Sequence, residues 1–242
     1  MHFFLYPPLK TITSLIIIIC LYSVNAECSS ESQTDMPKRT VVVDPGHGGF
    51  DSGAKGADNT LEKDISLLFA KKIKAGLEKK YNVVLTRKDD YWVETRQRAE
   101  IANNTKAELF ISVHTSASFI RETKGLSLIY YKPPSTDTAS TTKENQKQWY
   151  QTQEKYIPLS RLFTKGLYKR FSKNPNHQSS RVSSLPLSIL SGINMPAILI
   201  EVGFLTNPSE EKQLKNQDYT SDYIKEICAE IDTFLEEHPI IY

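Results

Sequence analysis

Short apolar runs, none longer than a single strand, alternate along this chain with segments of helical period, and that alternation restricts the fold more than any other feature. Residues 40–44, 82–86, 108–113, 126–131, 187–190 and 197–202 read as strands rich in Val, Ile and Leu. Between them, residues 62–80, 94–103, 158–172 and 219–237 read as amphipathic helices. In the first, Ile65, Leu68, Phe69, Ile73 and Leu77 share a face, with Lys71, Lys74, Glu78 and Lys79 outside. In the last, Tyr223, Ile224, Ile227, Cys228, Ile231, Phe234 and Leu235 face a core. Strands alternating with helices predict a single layered α/β domain, with a central mostly parallel or mixed sheet flanked by helices. Of the 242 residues 39% are hydrophobic and 24% charged, which excludes collagen, low-complexity disorder and a polytopic membrane protein. Three cysteines exclude a disulfide scaffold and a Cys-rich zinc module.

The amino terminus follows other rules. Its first 26 residues carry one base, Lys10, and no acid, and Leu15 to Ile19 form an unbroken apolar run. Val24-Asn25-Ala26 places small residues before a cut. This is the pattern of a secretory signal peptide over residues 1–26. The uncharged stretch is short for a membrane anchor, which needs about 20 residues. Residues 27–39, polar and proline-bearing, read as a flexible leader, and residues 40–242 as the folded domain. A periplasmic or secreted protein is therefore expected, with no transmembrane segment in the mature chain.

Charge is uneven. Residues 155–200 hold seven bases and no acid, whereas residues 201–242 hold ten acids and three bases. For an exported protein an anionic wall or membrane surface is a better partner for the bases than nucleic acid. A solvated helix face is the competing reading for Arg161, Lys165, Lys169 and Lys173, which recur at helical spacing. Residues 132–157 break the alternation with Pro133-Pro134 and a Ser/Thr/Asn/Gln run. A loop of that length is usually functional or disordered. The two readings are a surface loop and a gating insert in which residues 143–155 form a helix, Trp149 and Tyr150 pack on the domain, and Glu144 or Glu154 reaches the site until a protein activator binds.

Chemistry-bearing residues gather where strands end. Val43-Asp44-Pro45-Gly46-His47-Gly48-Gly49 leads from a strand into a glycine-rich turn, Ser112-Val113-His114 closes a second strand, and Glu201 interrupts a third. Ligands of α/β sheets bind at the carboxyl ends of strands. The turn has neither the lysine of a phosphate-binding loop nor a dinucleotide-binding spacing. Each residue has a bland alternative. His47 could be a solvated turn residue, His114 a satisfied strand-end histidine, and Glu62 a carboxylate favoured by a helix dipole. An unpaired carboxylate in so apolar a strand as that of Glu201 costs several kcal/mol, on the order of the burial penalty of a charge, so it needs a partner or a task. Two histidines and one glutamate match a zinc site that keeps an open position, and a second glutamate outside it matches a general base.

These pieces resemble the zinc-dependent N-acetylmuramoyl-L-alanine amidases of the amidase-3 type. The resemblance rests on residues 43–49, Gly53, Gly56, Glu62-Lys63-Asp64, Leu85-Thr86-Arg87, Arg96 to Ala102-Asn103, Ser112-Val113-His114, and Met195-Pro196-Ala197 through Asn207. It implies that His47, Glu62 and His114 bind one Zn2+, that Glu201 is the catalytic carboxylate, and that the reaction is hydrolysis of the amide between N-acetylmuramic acid and L-alanine of peptidoglycan. Asp44 is expected either to orient a ligand histidine or to cap the turn. Two departures stand out: Ser116 where the family usually shows Asn, and Ser127 where it usually shows an acidic residue. The rival functions are a non-catalytic peptidoglycan-binding protein on the same fold and a zinc peptidase of the stem peptide. Cys228 reads as a buried thiol, with a Cys28–Cys228 disulfide as the alternative.

Overall fold

A computed structural model describes residues 37–134, 149, 151–174 and 180–239. Six strands form one sheet: β1 (Thr40–Pro45), β2 (Asn82–Leu85), β3 (Leu109–Ser116), β4 (Ser127–Tyr131), β5 (Arg181–Leu185) and β6 (Ala197–Phe204). Their spatial order is β2-β1-β3-β6-β4-β5. The strands β2, β1, β3 and β6 are parallel, and β4 runs antiparallel to β6 and parallel to β5. The layered α/β fold with a mixed sheet thus stands as the sequence reads it.

Side-chain alternation along the strands separates two cores. Val41, Val43, Ile111, Val113, Ile198 and Ile200 point into one, with Phe69 and Ile73 of α1 (Glu62–Leu77), Phe163 and Leu167 of α3 (Ile157–Lys173), and Ile227 and Ile231 of α6 (Gln217–Glu237). Val42, Phe110, Ile129 and Leu199 point to the other, where Ala99 and Ala102 of α2 (Thr95–Asn104) and Leu190 of α4 (Ser188–Ser191) cover them. Each such side chain contributes about 1.5–3 kcal/mol by leaving water. The alanines of α2 let that helix lie close to the sheet. One further helix, α5 (Pro208–Lys215), starts where the Asn207 side chain accepts from the Ser209 and Glu210 amides, a polar N-cap. Among the described residues no helix is long and apolar enough to cross a membrane.

Three local readings change. Residues 187–190 are not a strand: Leu187 precedes the single turn α4, which packs against α2. The sixth strand is instead β5, an edge strand whose residues are half-buried or exposed and so carry no apolar alternation. Folded structure also begins before residue 40. Arg39 grips Glu108 through Nε at 2.9 Å and reaches the Leu235 carbonyl, and Lys38 donates to the Glu78 carbonyl. The signal segment 1–26, most of the leader with Cys28, and residues 135–148 with Glu144 and Tyr150 lie outside the described residues. Cys228 is half-buried with its Sγ against Gly76 and the Ile73 carbonyl, and burial pushes its thiol up to about 11.

Candidate metal and catalytic site

The carboxyl ends of β1 and β3 bring His47 and His114 to one cleft, and the start of α1 supplies Glu62. The ligand atoms of these three residues lie within 4.8 Å of one another, the one such group of three found among the described residues. One oxygen, Glu62 Oε1, sits 3.1 Å from His47 Nε2 and 3.0 Å from His114 Nδ1. The two rings meet edge-on at 5.0 Å. Glu62 is 4% exposed, and the amides of Ala54 and Thr115 donate to its two oxygens at 2.8 and 2.9 Å. Burial raises its carboxyl, but the hydrogen bonds and charges of His114 and His47 outweigh that and hold it well below the usual carboxylate range. Burial likewise lowers His47, and Glu62 and Asp51 outweigh it, so its imidazole titrates above the ordinary value.

The backbone around these groups leaves no room for larger residues. His47 itself has φ 59°, a left-handed conformation that a non-glycine residue adopts only when its surroundings enforce it. Two buried arginines do so. Arg98 donates to the carbonyls of Pro45 and His47, and Arg87 to those of Pro45 and Gly46. Gly53, at φ 63°, lies so close that a Cβ would fall 2.6 Å from Glu62 Oε2 and 2.7 Å from the His47 ring. At Gly46 a Cβ would fall 2.3 Å from the His114 ring.

Asp44 does not touch a histidine. Its carboxylate is fully buried and accepts from Arg98 Nη1 at 2.7 Å, Thr86 Oγ1 at 2.5 Å and Ser112 Oγ at 2.7 Å. The group that bonds a ring nitrogen is Asp51, whose Oδ2 lies 2.9 Å from His47 Nδ1. Sequence reading misses Asp51 because it stands in a polar loop with no periodicity; its spacing of four from His47 is the signal that could have found it. Arg96 is exposed and pairs with Glu100, whereas Arg98, two residues on and on the buried side of α2, reaches the site.

Glu201 stands on β6 opposite His114 in register, half-buried. Both serine departures flank it. Ser116 Oγ donates to Glu201 Oε2, and Ser127 faces Glu201 across the antiparallel β4–β6 pair. Of residues 132–157, Trp149 packs on Gly192 and buried Gln153 donates to the carbonyls of Ile193 and Met195, at the amino end of β6. Glu154 is exposed, and no described residue of that segment lines the cleft.

With this geometry in view, the comparisons are decisive for family. A family model described as N-acetylmuramoyl-L-alanine amidase matches residues 41–233. The chain belongs to that family. It is 27% identical over 225 residues to N-acetylmuramoyl-L-alanine amidase AmiC of Escherichia coli, an alignment that takes in 81% of this chain and 53% of that protein. The chain thus spans about half the length of this relative. Among solved structures, the catalytic domain of CwlV, an N-acetylmuramoyl-L-alanine amidase from Bacillus (Paenibacillus) polymyxa, superposes with a TM-score of 0.67 at 30% identity, covering 82% of this chain and 98% of that one. The CwlD amidase of Clostridioides difficile, solved in complex with the GerS lipoprotein, gives a TM-score of 0.65 at 27% identity, covering 83% and 100%.

Proposed function

We propose that this chain is an exported zinc amidase that hydrolyses the bond between the lactyl group of N-acetylmuramic acid and L-alanine in peptidoglycan. Family membership supports the reaction class, and the convergence of His47 Nε2, Glu62 Oε1 and His114 Nδ1 carries the assignment of the site. Two imidazoles and one carboxylate are a donor set suited to zinc. Glu62 fits such a role because it is buried without an Arg or Lys partner and is already held in its ionised form. When bound, zinc supplies Lewis acidity for the amide carbonyl and for the attacking water.

The remaining steps belong to side chains. Asp51 accepts from His47 Nδ1–H, which fixes the tautomer that leaves Nε2 as a ligand. Glu201, held by Ser116, takes the proton of the attacking water and returns it to the departing amine of L-alanine. The C–N bond breaks, the lactyl group leaves as a carboxylic acid, and the intact stem peptide leaves with a free amino terminus. The signal-like residues 1–26 support export.

The test is metal content and product chemistry on purified protein. One zinc per chain, removal of activity by chelator, and stem peptides carrying an L-alanine amino terminus are expected from purified sacculi. Fragments cut within the stem would convert the reading to a peptidase, and binding without any cleavage would convert it to a wall-binding protein. Changing His47, Glu62 or His114 to Ala is expected to abolish both zinc binding and cleavage. Stoichiometric zinc with full activity in His114→Ala would overturn the ligand set.

A further inference from the structure

Next to the cleft the molecule exposes a cluster of aromatic rings. Phe50 is 83% exposed, Trp92 44% and Tyr91 45%. Phe50 and Trp92 face each other with ring centroids 5.2 Å apart and planes tilted by 31°. Isolated apolar side chains on a surface need no explanation, but a contiguous group does.

The loops that carry these rings are tied together. Asp90 accepts from the Gly49 amide at 2.8 Å, and Lys63 Nζ bridges the Gly49 carbonyl at 2.8 Å and Asp90 at 2.7 Å. Gly48, at φ 128°, comes so close to the Tyr91 carbonyl that a Cβ would lie 2.3 Å from it. The 48–50 loop and the 89–92 loop are therefore held together through the Asp90 and Lys63 side chains, with their backbones in close approach. One follows His47 directly, and the other contributes Trp92 to the wall of the cleft that His47 and His114 also line.

Resting on the amidase reading above, we propose that Phe50 and Trp92 form a platform for an N-acetylated hexosamine ring of the glycan strand, beside the amide that is cut. A pyranose presents a face of C–H bonds, and an aromatic ring offers that face apolar area and a negative π surface. Two rings on loops that are already tied together lower the ordering cost at binding. An uncharged sugar also suits the charge of this rim. Asp51 and Glu94 line the same cleft as Trp92, so this rim carries carboxylates. The acyl side of the scissile amide is uncharged, because its lactyl carboxyl is tied up in the bond, so it meets these carboxylates without repulsion.

The experiment uses the full zinc-loaded chain carrying Glu201→Gln, so that binding is read without turnover. Chitotetraose is the glycan probe and a free stem peptide with an L-alanine amino terminus is the control. Phe50→Ala is expected to weaken chitotetraose binding about tenfold, the equivalent of about 1.4 kcal/mol, and to leave stem-peptide binding unchanged. Phe50→Tyr is expected to restore the chitotetraose affinity. Because Phe50 is exposed, its truncation leaves the fold intact, and an unchanged melting temperature verifies this. Equal chitotetraose affinity in Phe50→Ala, a loss confined to the stem peptide, or no chitotetraose binding before Phe50 is changed would each overturn the platform. Release of L-alanine-ended stems from sacculi by the unaltered protein reports on the amidase reading separately. If stems are released and the binding result is negative, only the platform falls.

Discussion

The Asp44 network and the His47–Glu62–His114 cluster lie a few residues apart on the same strands, and both bury a carboxylate against cationic or ionisable partners. They differ in what is left over. Asp44 meets a permanent cation, Arg98, and both its oxygens are taken by Arg98, Thr86 and Ser112. Arg98 in turn spends its remaining donors on the carbonyls of Val93, Pro45 and His47. Glu62 accepts from the Ala54 and Thr115 amides, but its ionisable partners are two imidazoles, and the three side chains offer atoms within 4.8 Å of one another. The first arrangement is closed and supports the loop; the second is open to an ion. The former charge is neutralised by a group that cannot lose its proton, the latter only by groups that can.

Four experiments test that contrast. The largest effect is expected at Glu201, which belongs to neither cluster. Glu201→Gln should keep zinc content and melting temperature while losing about 10²–10⁴-fold in the rate of sacculus cleavage, the usual scale for a lost acid–base group. Unchanged rates at normal zinc content would remove Glu201 from the chemistry. Next is Asp44→Ala, which strands Arg98 in a buried site. It should cost about 3–5 kcal/mol of unfolding free energy, as broken buried ion pairs do. Denaturant titration in the presence of chelator isolates this from metal. A drop of less than about 1 kcal/mol would mean that water satisfies Arg98, on the scale of exposed pairs.

Asp51→Asn should act on the open cluster alone. Weakening the group behind a ligand histidine typically costs about 10–100-fold in metal affinity. Competition with a chromogenic chelator measures it, and an unchanged affinity would assign Asp51 to the loop rather than to His47. The smallest effect concerns pH in the metal-free protein. Glu62 titrates below its ordinary value of 4.5, so its contribution is present above that pH and lost as pH falls. His47 titrates above its ordinary value of 6.5, so its contribution is present below that pH and lost as pH rises through its raised value. The cluster therefore stabilises the metal-free fold most between 4.5 and 6.5, and Glu62→Gln should flatten that profile in thermal melts. An identical profile in the variant would show that other groups set it.

What the sequence determined by itself were the elements with strong periodicity and the residues at their ends. The apolar runs ending in Asp44 and His114, and Glu201 set within a third, could be read because a buried strand tolerates polar residues only for a reason. The helices 62–80 and 219–237 could be read because their apolar faces repeat at helical spacing. The edge strand β5 and the turn α4 could not, since an exposed edge has no alternation and a four-residue helix has no period. The tertiary structure alone decided which carboxylate serves which partner. Asp44 and Asp51 are both near His47 in sequence, but the pleat turns Asp44 toward α2, where Arg98 waits, while the glycine turn folds Asp51 back onto the imidazole. Likewise, only strand register brings Ser116 and Ser127 to Glu201, eighty-five residues away from the first, because pairing between distant strands leaves no mark on local sequence.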